Sequence, residues 1–150
     1  MKTIAVSNGD IQLNSGKLQF VTGHTKLVQD LQRWLVEPIG TGYTTPGFGS
    51  FLSSYIGQSQ ASISTSTIEN EILRVLQLYQ GQQVLSLKAA QGAATLSNWN
   101  KSEIIQTIVS ISTSVQATSI ISNIVLTTLD NNTTSLSLSI TNNGVTVQNG

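Results

Sequence analysis

The sequence has no cysteine and a single histidine, His24, among its 150 residues. Without cysteine there is no disulfide framework, thiolate zinc site or cysteine nucleophile. A lone histidine excludes sites that need two imidazole ligands, and no serine has an obvious set of triad partners. We therefore expect no catalytic site, no metal site and no cofactor. We expect His24 to be a solvated or capping residue at the start of a helix.

Charged residues are also scarce, at 9% of the chain, whereas an average domain has about 25%. Seven basic and seven acidic residues cancel, and the basic ones are scattered singly. Nucleic-acid binding needs clustered lysine and arginine to replace counterions along phosphates, so we expect no nucleic-acid partner. A neutral surface of Ser, Thr, Asn and Gln favours a subunit held in an assembly, because free monomers normally use net charge to stay apart.

Long hydrophobic runs are missing as well. No segment approaches the roughly 18 apolar residues of a membrane span, and the first ten residues lack the apolar stretch of a signal peptide. We therefore expect synthesis in a cytoplasm and no membrane insertion. Hydrophobic residues still make up 39% of the chain, which is enough to bury the core of one ordinary domain.

The apolar pattern changes twice along the chain and predicts an α+β fold. Short extended pieces between turns, up to residue 21, predict an N-terminal β arm. Helical spacing predicts helices at about 25–37, 49–56 and 67–92, and Ser66 followed by Glu69 has the form of a capping box at the start of the last one. Alternation of apolar residues with Ser and Thr then predicts a C-terminal antiparallel β-meander.

These elements predict one domain over 1–150, with a helical core at about 24–98 and a β-rich part at about 102–150. The β-rich part could also be an appendage on that core. The strand register across 103–129 stays open because the apolar parity shifts within that stretch.

Several segments, in order over roughly residues 8–80, resemble a single family. They are DIQL at 10–13, GKL at 16–18, VTG at 21–23, VQDLQRWL at 28–35, EPIG at 37–40 and PGFGS at 46–50. Together they resemble the baseplate wedge or sheath-initiator family of contractile-tailed phages, which is similar to components of type VI secretion and other contractile injection baseplates. The acidic-Pro-Arg segment that many members carry after the long helix is missing at 78–83, which leaves the detailed contact with partner wedge proteins open.

The resemblance implies a non-catalytic structural subunit of the virion tail baseplate, assembled in the host cytoplasm. Several copies would ring the tail tube, bridge hub and wedge proteins, and template the first ring of tail sheath. Sheath pairing by β-augmentation would suit an uncharged edge strand, and we expect LSLSI at 136–140 to be that strand. The residues expected at partner interfaces are Arg33, Trp34, Glu37, Pro38, Pro46, Phe48, Gly49, Leu136, Leu138 and Ile140.

Two other functions stay open. A tail-associated, lysozyme-like peptidoglycan hydrolase would need two carboxylates across a cleft, and substitution of Glu37 and Glu69 would test it. A receptor- or carbohydrate-binding module would use the polar meander, although the aromatic residue just before it, Trp99, is isolated. The spacing of Arg33 and Glu37 also allows a simple ion pair on one helix face, and Trp34 at its spacing is more typical of a core residue.

Overall fold

The computed structural model describes residues 1–7, 10–42, 45–93, 96 and 99–150, apart from the side chain of Gln60. Two helices, α1 (Gly23–Val36) and α2 (Thr65–Gly92), lie between an N-terminal β arm and a C-terminal sheet. The arm consists of β1 (Thr3–Ile4), β2 (Val6–Ser7), β3 (Asp10–Ile11), β4 (Leu13–Asn14), β5 (Lys17–Leu18) and β6 (Phe20–Val21). The sheet consists of β7 (Ile105–Val115), β8 (Ser119–Thr128), β9 (Thr133–Thr141) and β10 (Gly144–Asn149). The predicted order of a β arm, helices and an antiparallel meander is confirmed.

The four C-terminal strands pair in the order β10-β9-β8-β7, each antiparallel to its neighbour. Apolar residues alternate with Ser, Thr and Asn along β8 and β9, so one face of the sheet is apolar and the other is polar. The register shifts between Ile105 and Thr107 and again between Ile108 and Ser110. These irregularities explain the parity shift in the sequence: Val109, which shares a parity with Ile111, is 56% exposed.

Both helices cover the apolar face of the sheet. α1 buries Leu27, Leu31 and Leu35 along one stripe, and α2 buries a second stripe that starts at Ile68 and Ile72. These side chains form one cluster with the inward residues of the sheet. In α+β proteins, helices commonly pack an apolar face against the apolar face of the sheet in this way. Among the described residues, neither helix combines the length and apolarity that a membrane crossing requires.

The helix predicted at 49–56 is wrong. The segment contains a single turn of 3-10 helix at Leu52–Tyr55. Gly49 has a φ of +104°, which an α-helix cannot accommodate, and the backbone N–H of Ser50 donates to the carbonyl of Glu37. The start of the segment is therefore bound to the end of α1 and cannot form a helical turn of its own.

The predicted capping box of α2 is also wrong. The residue that precedes the helix is Ser64, and its hydroxyl lies 2.7 Å from that of Ser66 without capping the backbone. The Glu69 carboxylate instead accepts the backbone N–H of Thr113 in β7 at 2.8 Å. The N–H of Thr113 at the edge of β7 needs an acceptor, and Glu69 provides it. This tertiary hydrogen bond replaces the bond within the helix that the spacing of Ser66 and Glu69 suggests.

Glu103 connects the start of the sheet to the start of α1. Its side chain is fully buried and accepts the backbone N–H of Gly23 at 2.7 Å. The Met1 ammonium group also lies 3.0 Å from the same carboxylate. A carboxylate at the first turn satisfies an N–H that has no partner within the helix and interacts favourably with the helix dipole. His24 follows Gly23 in the first turn of α1 and is half-buried.

Replacement of Glu103 tests this connection. We expect Glu103→Leu to lower the free energy of unfolding by about 1–3 kcal/mol, because it leaves the Gly23 N–H buried without an acceptor. Glu103→Gln retains an acceptor oxygen and should lose less. Urea denaturation followed by circular dichroism measures both variants, and equal losses would contradict this role of Glu103.

Candidate assembly interface

The loop that follows α1 folds back onto the end of that helix. The backbone N–H of Ile39 donates to the carbonyl of Ser50 at 3.0 Å, and the Ser50 N–H donates to the carbonyl of Glu37 at 2.8 Å. The Ser50 hydroxyl donates to the carbonyl of Leu35 at 2.6 Å and so satisfies an acceptor in the last turn of α1. The two ends of the Pro/Gly loop are therefore hydrogen-bonded to each other, and the second end is also bonded to the last turn of α1.

An aromatic and basic cluster lies on this folded-back loop. The rings of Trp34 and Phe48 have centroids 4.5 Å apart, and the guanidinium carbon of Arg33 lies 5.1 Å from the Phe48 centroid. Arg33 also pairs with Glu37 at 3.7 Å, which confirms the ion pair that the spacing allows. At 72% side-chain exposure for Arg33, that pair contributes little stability. We call Arg33, Trp34, Glu37, Pro38, Phe48 and Gly49 the α1-end cluster.

A salt bridge on α2 holds the far end of the loop. The Arg74 guanidinium donates to the Glu71 carboxylate at 2.7 Å and to the carbonyl of Gly49 at 3.2 Å. The same carboxylate accepts the backbone N–H of Phe51 at 2.7 Å. The hydrogen bond to Glu71 raises the pKa of Arg74 above its ordinary value. This role of Glu71 and Arg74 was not predicted from the sequence. The only sign of it in the sequence is that a Glu and an Arg lie three residues apart on a predicted helix, a spacing that allows an ion pair.

The structure thus brings six of the predicted interface residues together. Trp34 and Phe48 are both half-buried, and Trp34 packs against the core and against Phe48, whereas Pro38 is exposed. Trp34 also contacts Tyr79 edge-on, with centroids 5.8 Å apart. Partly exposed Trp, Phe and Arg on a fixed backbone have the composition of interface hot spots. Pro46 is exposed on the same loop, away from these contacts.

The expectation that residues 136–140 form an exposed edge strand is wrong. They belong to β9, which is paired on one side with β8 and on the other with β10. Leu136, Leu138 and Ile140 point into the core and are almost completely buried. Their alternation with serine reflects one buried and one polar face of an interior strand, so neither their side chains nor their backbone is available to a partner.

The outer strands of the sheet are β7 and β10, and they differ in how the helices cover them. On β7, Gln80 of α2 donates to the carbonyls of Ile105 and Gln106 at 3.2 Å, and Gln83 accepts the Ile105 N–H at 3.0 Å. Glu69 caps Thr113 further along the same edge. α2 therefore covers β7 at both ends, in the manner by which proteins protect edge strands.

The outer edge of β10 has less cover. Gly150 donates its N–H to the carbonyl of Ser135, so the antiparallel alternation turns the backbone groups of Val145, Val147 and Asn149 away from β9. The carbonyl of Val147 accepts the side chain of Gln32 in α1 at 3.0 Å. Within the described ranges, no strand pairs with this edge.

The carboxylates proposed for a hydrolase have other partners. Glu37 pairs with Arg33, and Glu69 accepts a backbone N–H from β7. Within the part of the chain that the structure describes, no three acidic or histidine side chains come together to hold a metal ion. Tyr79 donates its hydroxyl to Asp30 at 3.0 Å, and burial together with the Asp30 charge raises the pKa of Tyr79 above its ordinary value. That hydroxyl therefore stays protonated and serves as a core hydrogen-bond donor.

Comparison with known proteins gives no relatives: no protein-family model, curated protein or solved structure matches the chain.

Gly49 gives a sharp test of how the loop is held. A β-carbon at this position would lie 2.5 Å from the carbonyl oxygen of Glu37, and the φ of +104° is itself strained for any other residue. We expect Gly49→Ala to lower the free energy of unfolding by about 1–3 kcal/mol. Gly47→Ala is the control, because no atom of the described residues lies within 4 Å of the added carbon and the φ of Gly47 is not positive. Similar melting temperatures for the two variants would contradict the tight return of the loop.

Proposed function

We propose that the chain is a structural wedge subunit of a contractile-tail baseplate and not an enzyme. It bridges hub and wedge proteins, and several copies around the tail tube template the first ring of sheath. The observation that carries the proposal is the α1-end cluster: the segments EPIG and PGFGS, which resemble the family most specifically, fold together into one partly exposed aromatic and basic surface. A neutral chain with 9% charged residues supports a role inside an assembly.

The arrangement of the cluster suits a partner contact. Trp34 and Phe48 supply apolar area, and Arg33 lies over the Phe48 ring beside Glu37. The C-terminal end of the loop is fixed before any partner binds, because Ser50 is bonded to α1 and Gly49 to α2. Pre-ordered residues lose less conformational entropy on binding, so such a surface binds more tightly than a mobile loop of the same composition.

Sheath pairing, in this proposal, uses β10. It is the outer strand with the lighter cover, and it carries no charged residue. An incoming strand would bond to the outward groups of Val145, Val147 and Asn149 by β-augmentation. The Gln32 side chain would have to leave the Val147 carbonyl, which a backbone N–H of the new strand would then replace.

Substitution at Asn149 tests this edge. Its backbone N–H points away from β9, so Asn149→Pro removes a donor for the incoming strand without breaking a bond inside the sheet. We expect pairing to weaken by about 1 kcal/mol per copy, or roughly fivefold, the net worth of one hydrogen bond. Negative-stain microscopy of assembling tails would count baseplate-bound tubes that carry sheath. Asn149→Ala keeps the N–H and is the control; equal sheath assembly in both variants would contradict pairing at β10.

The hydrolase alternative has a direct test of its own. We expect the purified chain, Glu37→Gln and Glu69→Gln all to leave the turbidity of a peptidoglycan suspension unchanged. We also expect Glu69→Gln, at a position outside the α1-end cluster, to support baseplate assembly as the parent does. Lysis by the parent that disappears in either variant would overturn the structural assignment.

A further inference from the structure

The β arm is built from a seven-residue repeat. Residues 4–10, 11–17 and 18–24 read IAVSNGD, IQLNSGK and LQFVTGH. Each copy begins with two large apolar residues that flank one other residue, and each has glycine in the sixth place. In the second copy the glycine lies in a tight turn, where Ser15 and Gly16 both have positive φ. In the third copy Gly23 begins α1 instead.

The repeat folds into three two-stranded ribbons around a triangle of hydrogen bonds. Ala5 donates its N–H to the carbonyl of Gln19 at 2.8 Å, Gln19 donates to Gln12 at 3.1 Å, and Gln12 donates to Ala5 at 2.9 Å. The three residues are each seven apart and occupy the same place in successive copies of the repeat. The ribbons β1-β6, β2-β3 and β4-β5 extend outward from this centre.

This geometry places six large apolar side chains on one face. The residues just before and just after a given strand residue point their side chains to the same face of the sheet. Directly opposed residues of two paired strands also share a face. The opposed pairs are Ile4 with Phe20, Val6 with Ile11, and Leu13 with Leu18. We call these six residues the apolar ring. All but Ile4 are 43–62% exposed, although residues of this kind normally lie in a core.

The opposite face of the arm carries polar side chains, and its edge next to α1 is hydrogen-bonded to that helix. Gln12, Asn14 and Lys17 occupy positions of the other parity, so the arm is amphipathic. Gln29 of α1 donates to the carbonyl of Ile4 and accepts the N–H of Val6, both at 2.9 Å. The arm is therefore attached to α1 along one edge, and this attachment leaves the apolar ring uncovered. A contiguous exposed apolar patch of this kind marks an interaction site.

The dimensions of the ring decide which partner fits. Residues two apart on a strand are separated by about 7 Å and opposed residues by about 5 Å, so opposite corners of the six-residue ring are about 10 Å apart. An α-helix with its side chains is roughly 10–12 Å wide. Five of the six side chains are only 43–62% exposed, so their exposed area is less than the roughly 800 Å² that each partner of a stable complex buries, and the ring alone would not hold a second copy. None of the six positions is charged, which disfavours an anionic lipid surface, since such surfaces recruit basic residues.

From these observations we infer that the apolar ring is a docking site for the apolar stripe of an amphipathic α-helix in a partner protein. The helix would lie across the ring with leucine-like residues of one face against Leu13, Leu18 and Phe20. This site is separate from the α1-end cluster and from β10, so it does not depend on the proposed function. The footprint of one helix is small, so the contact acts together with a larger interface of the same partner.

Methyl NMR of the full chain with a synthetic peptide tests the inference, because it detects weak binding. The probe is an amphipathic peptide of about five helical turns with leucine at every third or fourth position. We expect saturable shifts of the methyl groups of Val6, Ile11, Leu13 and Leu18. The double variant Leu13→Asn/Leu18→Asn should weaken binding by about tenfold or more. Both side chains are exposed, so the variant should keep the parent melting temperature.

The controls distinguish binding of a partner helix from contact of the ring with a second copy of the chain or with a lipid surface. Gln12→Asn with Asn14→Ser changes the polar face and should leave peptide affinity unchanged. A scrambled peptide of the same composition, without the stripe, should not produce saturable shifts. The inference is overturned if the amphipathic peptide does not bind or binds the double variant equally well. It is also overturned if the ring methyls instead respond to protein concentration alone or to vesicles of phosphatidylcholine and phosphatidylglycerol.

Discussion

The apolar face of the C-terminal sheet is the constraint on which the rest of the structure depends. Inward residues of β8 and β9 such as Ile124, Leu126 and Leu138 are fully buried, and the two helices cover most of them, with Leu52 of the 3-10 turn adding to the same cluster. α1 and α2 must therefore lie across the sheet, with Glu103 fixing the start of α1. The Pro/Gly loop and the β arm are attached in turn to α1, through Ser50 and Gln29. The α1-end cluster and the apolar ring are thus both positioned by α1, whose place the sheet determines.

A chain with so little charge satisfies its strand edges with amides. Gln29, Gln32, Gln80 and Gln83 all project from helices and bond to backbone groups of strands. Each contact resembles a short piece of β-ladder, and together they hold helices and strands in register without ion pairs. Such neutral contacts do not weaken as salt rises, unlike exposed charge pairs. They also explain why a glutamine-rich helix such as α2 can pack beside a strand edge.

The sequence predicted the elements better than their contacts. Leucine at every third or fourth place in α1 and strict alternation in β9 are local patterns, and both elements were found where expected. The same alternation misled about Leu136, Leu138 and Ile140, because one-sided burial does not distinguish an interior strand from an edge strand. The capping box failed because Glu69 has a tertiary partner, which no local spacing reveals. The seven-residue repeat was readable from glycines at 9, 16 and 23 but yields a surface only once the hydrogen-bonded triangle is known.

The central claim is that this chain is a fixed part of a baseplate, and its position in an assembled particle tests that most directly. A cryo-EM reconstruction of contractile tails purified from the source of this chain would show whether the chain is present and where it lies. We expect several copies ringed between the tail tube and the first sheath layer, with the α1-end cluster against another baseplate protein. Absence of the chain from the particle, or a single copy projecting at the tip, would contradict the account.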